Sequence, residues 1–376
     1  MTASYSAHRV VVVGGGVFGV SSALQLARLG VGVTLVTQGG FADGASGRSL
    51  SWLNSSRMRS AAYHQLRMIG IDRYRTLAAR HTDATWLRFD GGLTWDADDA
   101  GNGIVAAHAH ERSIGYDARL LSKDDVAAVT PGVDARAITT KGAIFNPGEG
   151  WVDLPSLIDL LLAEFAALGG RQVAHAGRTK VDLAGGRVVG VSTVEAGRFE
   201  ADALLLATGP AVPSIVAEVG ITIPDATPIS LLVKTKPVDH ALRAVLNTPR
   251  VAIRPTPTGA LVLDSGWSEE EVVTRPDGTY AVQDSTVQGL LDEASAVLEG
   301  NPRLVLDSYG VGPKPIPLDG EPVFGPLQGI PNYHVAFSHS GATLGLIAGE
   351  LLAQEIASGE PHPLLASFRA ARFAPK

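Results

Sequence analysis

The sequence predicts an α/β fold in two lobes, the first built on a buried parallel sheet and the second an α+β lobe with a mostly antiparallel sheet. Three observations predict it. A wholly apolar run, Val10 to Val13, leads into Gly14-Gly15-Gly16 and a helical stripe, and a second apolar run, 32–36, closes a complete βαβ unit. The texture then alternates between long apolar segments and short strand-like pieces broken by Asp, Gly and Pro. With 376 residues the chain is also too long for one simple core.

In chain order, Arg9 to Val13 reads as a buried parallel strand. Val20, Ala23, Leu24 and Ala27 recur at spacings of three and four and predict a helix over 17–29, stopped by Gly30. Residues 63–79 predict a second helix. From 82 to 142, pieces such as 87–89 and 93–95 predict an antiparallel excursion, with a short helix over 122–128 closed by Pro131. Asp153 and Pro155 open a strong helix over 156–168, and Gly169-Gly170 end it. A hairpin pairs 180–183 with 188–194 across Ala184-Gly185-Gly186, and 203–207 is a buried strand running into Thr208-Gly209-Pro210. Strands from 224 to 307 are again short. A final strand over 333–337 precedes a helix from Gly341, whose stripe is Leu344, Ile347, Ala348, Leu351 and Leu352 and which Gly359 ends. This order predicts a discontinuous first domain, 1–82, 142–224 and 307–376, and a second lobe, 83–141 and 225–306.

Composition removes several function classes. The net charge of −7 with no basic stripe argues against nucleic acid as a partner. The chain has no cysteine, which excludes disulfides, thiolate metal sites and a cysteine-linked cofactor. His, Asp and Glu do not cluster at metal-ligand spacing, so no metal is expected. Residues 1–8 lack a charged segment followed by an apolar one and a cleavage site, and no uninterrupted apolar stretch reaches 18 residues. The expectation is a cytoplasmic protein with no leader and no membrane span.

Gly14-Gly15-Gly16-Val17-Phe18-Gly19 fits G-x-G-x-x-G in the context that gives the pattern meaning, after a buried strand and at the start of a helix. Gly14 permits the tight turn, Gly16 the close approach of a pyrophosphate, and Gly19 the packing of helix on sheet. Free N–H groups and the positive end of the helix dipole, at Val17 and Phe18, then face the phosphates. This is a Rossmann-type dinucleotide site. The acid that usually closes the second strand and binds the ribose is absent: Thr37 and Gln38 stand there, and neutral groups bind a hydroxyl less strongly.

Further along, Gly44-Ala45-Ser46-Gly47-Arg48-Ser49, Gly148 to Pro155 (GEGWVDLP), Thr179-Lys180-Val181, Leu206-Ala207-Thr208-Gly209, Gly312-Pro313-Lys314-Pro315 with Asp319-Gly320-Glu321-Pro322, and His339-Ser340-Gly341-Ala342-Thr343-Leu344 follow one another. In this order the chain resembles the D-amino acid oxidase, glycine oxidase and sarcosine oxidase superfamily of flavoproteins over nearly its whole length. The resemblance implies FAD, held without a covalent link, in a Rossmann-type FAD-binding domain, with a substrate lobe over the flavin. It implies oxidation of an amine or amino acid by hydride transfer from Cα to flavin N5, giving an imine that water hydrolyses, with oxygen or a redox partner taking the electrons.

Carried onto this sequence, the resemblance places Ala45, Ser46, Arg48, Ser49, Val181, Ala207, Thr208, Gly209, Gly312, Lys314, Ser340, Gly341, Ala342, Thr343 and Leu344 against the cofactor, besides the glycine motif, Thr37 and Gln38. It makes Lys314 and His339 the catalytic candidates. Lys314 stands where the amino-acid oxidases have a carboxylate-binding Arg. Trp52, Arg254 and Tyr309 are further candidates to face substrate, although a solvated or ion-paired Arg254 and a core Trp52 and Tyr309 are the plainer expectations. Two other readings stay open: a flavin-binding subunit of a hetero-oligomeric amino-acid dehydrogenase, and a non-catalytic scaffold relative.

Overall fold

The computed structural model describes residues 9–374. The expectation of no leader falls on residues 1–8 and lies outside the described residues. The chain divides into two units, the first Met1–Gly47, Leu154–Pro228 and Pro313–Lys376, the second Arg48–Asp153 and Ile229–Gly312.

The first unit carries a six-stranded sheet in the order Val323–Pro326, Tyr333–Phe337, Ala203–Leu206, Arg9–Val13, Gly32–Val36, Arg171–Val173. Every pairing is parallel except that of Val323–Pro326 with Tyr333–Phe337. The central strands are apolar and buried over Val10 to Val13 and Ala203–Leu206 because both faces are covered, whereas the edge strand Arg171–Val173 is mostly polar and exposed. The helices Val17–Arg28 and Gly341–Ser358 pack on one another, and a Cβ at Gly349 would lie 2.2 Å from Ser21 Oγ, so only glycine permits that approach. The hairpin Thr179–Ala184 with Arg187–Thr193 forms as expected, extended by Gly197–Glu200.

In the second unit an eight-stranded sheet runs Leu306–Pro313, Ile229–Thr235, Leu261–Asp264, Ala252–Pro255, Val245–Asn247, Gly92–Thr94, Ala143–Asn146, Arg119–Leu121. From Ile229–Thr235 to Arg119–Leu121 each neighbouring pair is antiparallel, except Val245–Asn247 with Gly92–Thr94, which is parallel. One face is the core of the unit, with Leu93, Leu231, Val233, Leu246, Ile253 and Leu263. The other face carries a row fixed by register: Lys234, Val262, Arg254, Val245, Gly92 and Asn146. A small sheet joins Trp52–Leu53, Gly150–Val152 and Leu87–Arg88.

These ladders decide the division of the chain. The sequence reading gives 48–82 and 142–153 to the first domain. In the structure they belong to the second unit, because Trp52–Leu53 and Leu87–Arg88 both pair with Gly150–Val152, and Ala143–Asn146 pairs with Gly92–Thr94. Two helices of this unit, Ile104–Ser113 and Asp284–Val297, lie in stretches read as strands and loops. Burial of Leu290, Leu291 and Ala294 in the core holds the second of them.

Candidate functional site

The glycine turn is built by contacts that no side chain could share. Gly14 has φ 129°, and a Cβ there would lie 2.2 Å from the Ala207 carbonyl oxygen. A Cβ at Gly19 would lie 1.9 Å from the Gly14 oxygen. The Gly14 N–H donates to the Val36 carbonyl and the Ala207 N–H to the Val13 carbonyl, so three neighbouring strands meet at the turn. Gly16 caps the helix in an extended conformation, and the Val17 N–H donates to Ser46 Oγ at 3.1 Å. Neither this helix nor Gly341–Ser358 has an acid in its first turn. A Cβ at Gly341 would meet Val17 Cγ1 at 3.5 Å and Phe18 Cε2 at 3.8 Å, so two helix N-termini come together here. Their dipoles present positive ends to the same place.

The first unit holds most of the expected cofactor positions. Thr208 Oγ1 is buried without a protein partner, and Gly209 follows with φ 59°. Thr37 is buried; its hydroxyl is 3.5 Å from the Gly40 carbonyl and would be 2.7 Å from a Cβ at Gly15. Gln38 is exposed and accepts at its carbonyl from Gly177. Ala45 belongs to a short 3-10 turn with Ser46, and Val181 pairs in register with Val191. Ser340, Gly341, Ala342, Thr343 and Leu344 form the start of the last helix, with His339 exposed just before it. Lys314 is half-buried and its N–H donates to the Pro228 carbonyl. Asp319, the acid nearest it in sequence, is engaged by Arg372 at 2.7 and 3.0 Å.

The remaining expected positions belong to the second unit. Arg48 lies along the strand Leu306–Pro313, where the alternation of Gly310 and Gly312 makes room for it; a Cβ at either would be 2.7 or 2.6 Å from its side chain. Ser49 Oγ accepts the Ser51 N–H. Trp52 is half-buried, whereas Tyr309 is 48 % exposed and so belongs neither to a core nor to a closed wall. Its strand leaves residues 306–309 to solvent.

Arg254 is not the solvated side chain of the first plainer expectation, and it meets the second, an ion pair, only loosely. It is buried, not solvated, and its nearest acid, Asp153, is 3.8 Å away, beyond hydrogen-bond reach. Nη1 donates to the Pro255 carbonyl at 3.1 Å, Nε has no partner, and the guanidinium stands over the Trp151 ring at 5.3 Å. Burial lowers its pKa to about 10, against the opposing field of Asp153.

Comparison with known proteins settles the family. The family model for FAD dependent oxidoreductases of the DAO type matches residues 9–355. The chain belongs to the FAD-dependent oxidoreductase (DAO) family. It is 27 % identical over 369 residues to a glycine oxidase of Pseudomonas aeruginosa, covering 94 % of this chain and 96 % of that protein. It is 25 % identical over 345 residues to a D-amino acid dehydrogenase of Bradyrhizobium diazoefficiens, covering 86 % and 78 %. Among solved structures, glycine oxidase of Geobacillus kaustophilus superposes with a TM-score of 0.83 at 21 % identity, covering 98 % of this chain and all of that one. L-amino acid deaminase of Proteus myxofaciens superposes at 0.84 with 17 % identity, covering 98 % and 94 %.

The protein is therefore an FAD-dependent oxidoreductase, and its first unit fits the cofactor. The close approach that Gly16 leaves open, the unpartnered hydroxyl of Thr208 and the converging helix N-termini have the donor chemistry that a dinucleotide diphosphate requires. Of the two neutral residues expected at the ribose, Thr37 has a hydroxyl only weakly engaged by the Gly40 carbonyl. Thr37→Glu is expected to tighten FAD about fivefold, since a carboxylate accepting a ribose O–H contributes on the order of 1 kcal/mol more than a neutral group. Equilibrium titration of the apoprotein with FAD measures this; unchanged or weaker binding would mean that another group meets the ribose.

A second feature of this oxidoreductase was not apparent from sequence. Glu149 is fully buried in the second unit. Its Oε1 accepts from Tyr116 at 2.5 Å and its Oε2 from the Trp52 indole N–H at 2.8 Å. The Tyr116 hydroxyl in turn accepts the Ser55 N–H at 3.0 Å. Close by, buried Glu111 accepts from Asn146 and from the Arg57 N–H, and Arg67 is pinned to Asn54 and Tyr63. Burial pushes the Glu149 pKa up to about 8; the field of Glu111 adds to it, and the bonds from Tyr116 and Trp52 and the charge of Arg67 oppose it. The one sequence signal is an acid held between Gly148 and Gly150 at the mouth of an apolar strand.

Proposed function

We propose that this enzyme oxidises the C–N bond of an amino acid by hydride transfer from Cα to flavin N5, releasing an imine that water hydrolyses. The observation that carries the amino-acid reading is Arg254. A guanidinium has five N–H donors, and here one meets the Pro255 carbonyl while Nε meets nothing. A buried cation left so incomplete is costly, and a carboxylate matches its fork with two parallel hydrogen bonds. The names of the relatives, glycine oxidase and D-amino acid dehydrogenase, support the same substrate class.

FAD, when bound, supplies the two-electron acceptor; the chain's part is to hold and orient. The glycine turn, Ser46, Thr208 and the start of the helix Gly341–Ser358 hold the diphosphate and flavin, and the positive helix end stabilises charge on the reduced ring. Lys314 and His339 are assigned to the flavin side of the reaction, with Arg254 as the carboxylate anchor. The FAD is held non-covalently. Acid precipitation is expected to release FAD into the supernatant, and anaerobic addition of amino acids to bleach the flavin of the intact enzyme. Flavin retained on the precipitated chain would sink the non-covalent assignment, and a flavin that no amino acid reduces would sink the substrate class. Reoxidation by oxygen against reduction of a dye then assigns the electron acceptor.

A further inference from the structure

Trp52 is fixed from two directions. It follows Ser51, whose φ of 56° is a left-handed conformation that a residue with a side chain adopts at a cost. That backbone is held by Ser49, which accepts the Ser51 N–H at 3.0 Å, and by the Val152 N–H, which donates to the Ser51 carbonyl at 3.2 Å. At the other end of the residue the indole N–H donates to Glu149 Oε2. Glu149 cannot turn away, since its second oxygen is tied to Tyr116, and a Cβ on Gly92 would lie 2.2 Å from Oε2 and 3.0 Å from Trp52 Nε1. The acid thus occupies a slot that a glycine vacates.

Register places this tethered ring beside the carboxylate anchor. Trp52 pairs directly with Trp151, so both indoles stand on one face of the small sheet. Trp151 is the ring over which Arg254 sits. On the large sheet, Arg254, Val245 and Gly92 follow one another in the same row, and Gly92 is the residue beneath Glu149 and Trp52. An indole free to rotate offers a substrate no defined surface, while one held at both ends is a preorganised apolar wall whose shape discriminates side chains.

We propose that Glu149 is a positioning residue for substrate selection: by accepting the indole N–H it holds Trp52 as a rigid wall beside Arg254, so the enzyme prefers amino acids with large apolar side chains to glycine. This rests on the reading of Arg254 as the carboxylate anchor. Anaerobic flavin reduction by glycine and by D- and L-phenylalanine, with the holoenzyme, measures the preference as a ratio of kcat/KM. Gly92→Ala drives a methyl into the Glu149–Trp52 bond, Glu149→Met removes the acceptor, and Glu149→Gln keeps an oxygen that the indole can reach. The phenylalanine-to-glycine ratio is expected to fall about tenfold in Gly92→Ala and Glu149→Met, through KM for phenylalanine, and to be retained in Glu149→Gln. General damage to the fold lowers both substrates together and leaves the ratio alone, and Gly92→Ala carries the test if Glu149→Met does not fold. A wild-type preference for glycine, or an unchanged ratio in the variants, overturns the role of Glu149 while the amino-acid reading stands. A wild-type flavin reduced by no amino acid overturns that reading, and the wall with it.

Discussion

Replacing Arg254 with Met is expected to cost about 2–4 kcal/mol in kcat/KM on a carboxylated substrate, and little on its amide or decarboxylated analogue. The size follows from the state of the guanidinium. It is buried, its nearest acid is 3.8 Å away and its Nε is unmet, so its donors are already desolvated and no new desolvation of the cation opposes binding. Methionine keeps the length and the contact with Trp151 while removing every donor. Lys314→Met is the paired measurement, because the resemblance read in the sequence sets Lys314 at the position of a carboxylate-binding Arg. An ammonium on a flexible stem is a single point charge, whereas a guanidinium binds with two prongs. The carboxylate-specific loss is expected in Arg254→Met, and Lys314→Met is expected to lower both substrates alike by loosening the flavin side. A carboxylate-specific loss in Lys314→Met with none in Arg254→Met would move the anchor to Lys314.

Glu149→Gln is expected to gain stability relative to the wild type as pH rises from 5 to 8, by roughly 4 kcal/mol in all. In the unfolded chain this carboxyl ionises near its ordinary value, 4.5, but in the folded protein burial holds the proton up to about 8. Between those values the native state binds more protons than the unfolded state, so the wild type loses stability as pH rises and the loss levels off above 8. Glutamine cannot ionise and removes this slope, whatever other groups contribute in common. His334, buried and lowered to about 4, acts in the opposite sense, since its stabilisation is lost as pH falls from 6.5 towards 4; it is present in both proteins and cancels. Denaturant unfolding at pH 5, 6.5 and 8 measures the difference. A difference between the two proteins that does not change with pH would mean that Glu149 is already ionised in the fold, held so by Tyr116, Trp52 and Arg67.

The first unit was legible because its signals are local. Gly14, Gly16 and Gly19 stand within six residues, each apolar strand is continuous, and the residue that ends each helix adjoins it, as Gly359 with φ 76° adjoins the last helix. Backbone geometry over a few residues sets those features, so the order of residues alone carries them. The unit boundaries were less legible. Residues 48–53 and 143–152 follow the glycine motif or precede a first-unit helix in sequence, yet 52–53 pair with 150–151 and 143–152 pair with strands 87–94, and ladder partners distant in sequence leave no local mark.

By itself, then, the sequence determined the α/β class, the dinucleotide turn and the family, since βαβ geometry and ordered motifs are properties of the chain read in one direction. Tertiary structure decided the state of the polar groups. Arg254 became a buried cation with unmet donors only because strand pairing turned it away from the core and set it over Trp151. Glu149 became a high-pKa acid holding an indole only because Gly92, Trp52 and Tyr116, distant in the chain, close around it. A side chain's charge is written in its identity, but its desolvation and its partners are set by neighbours that the fold alone supplies.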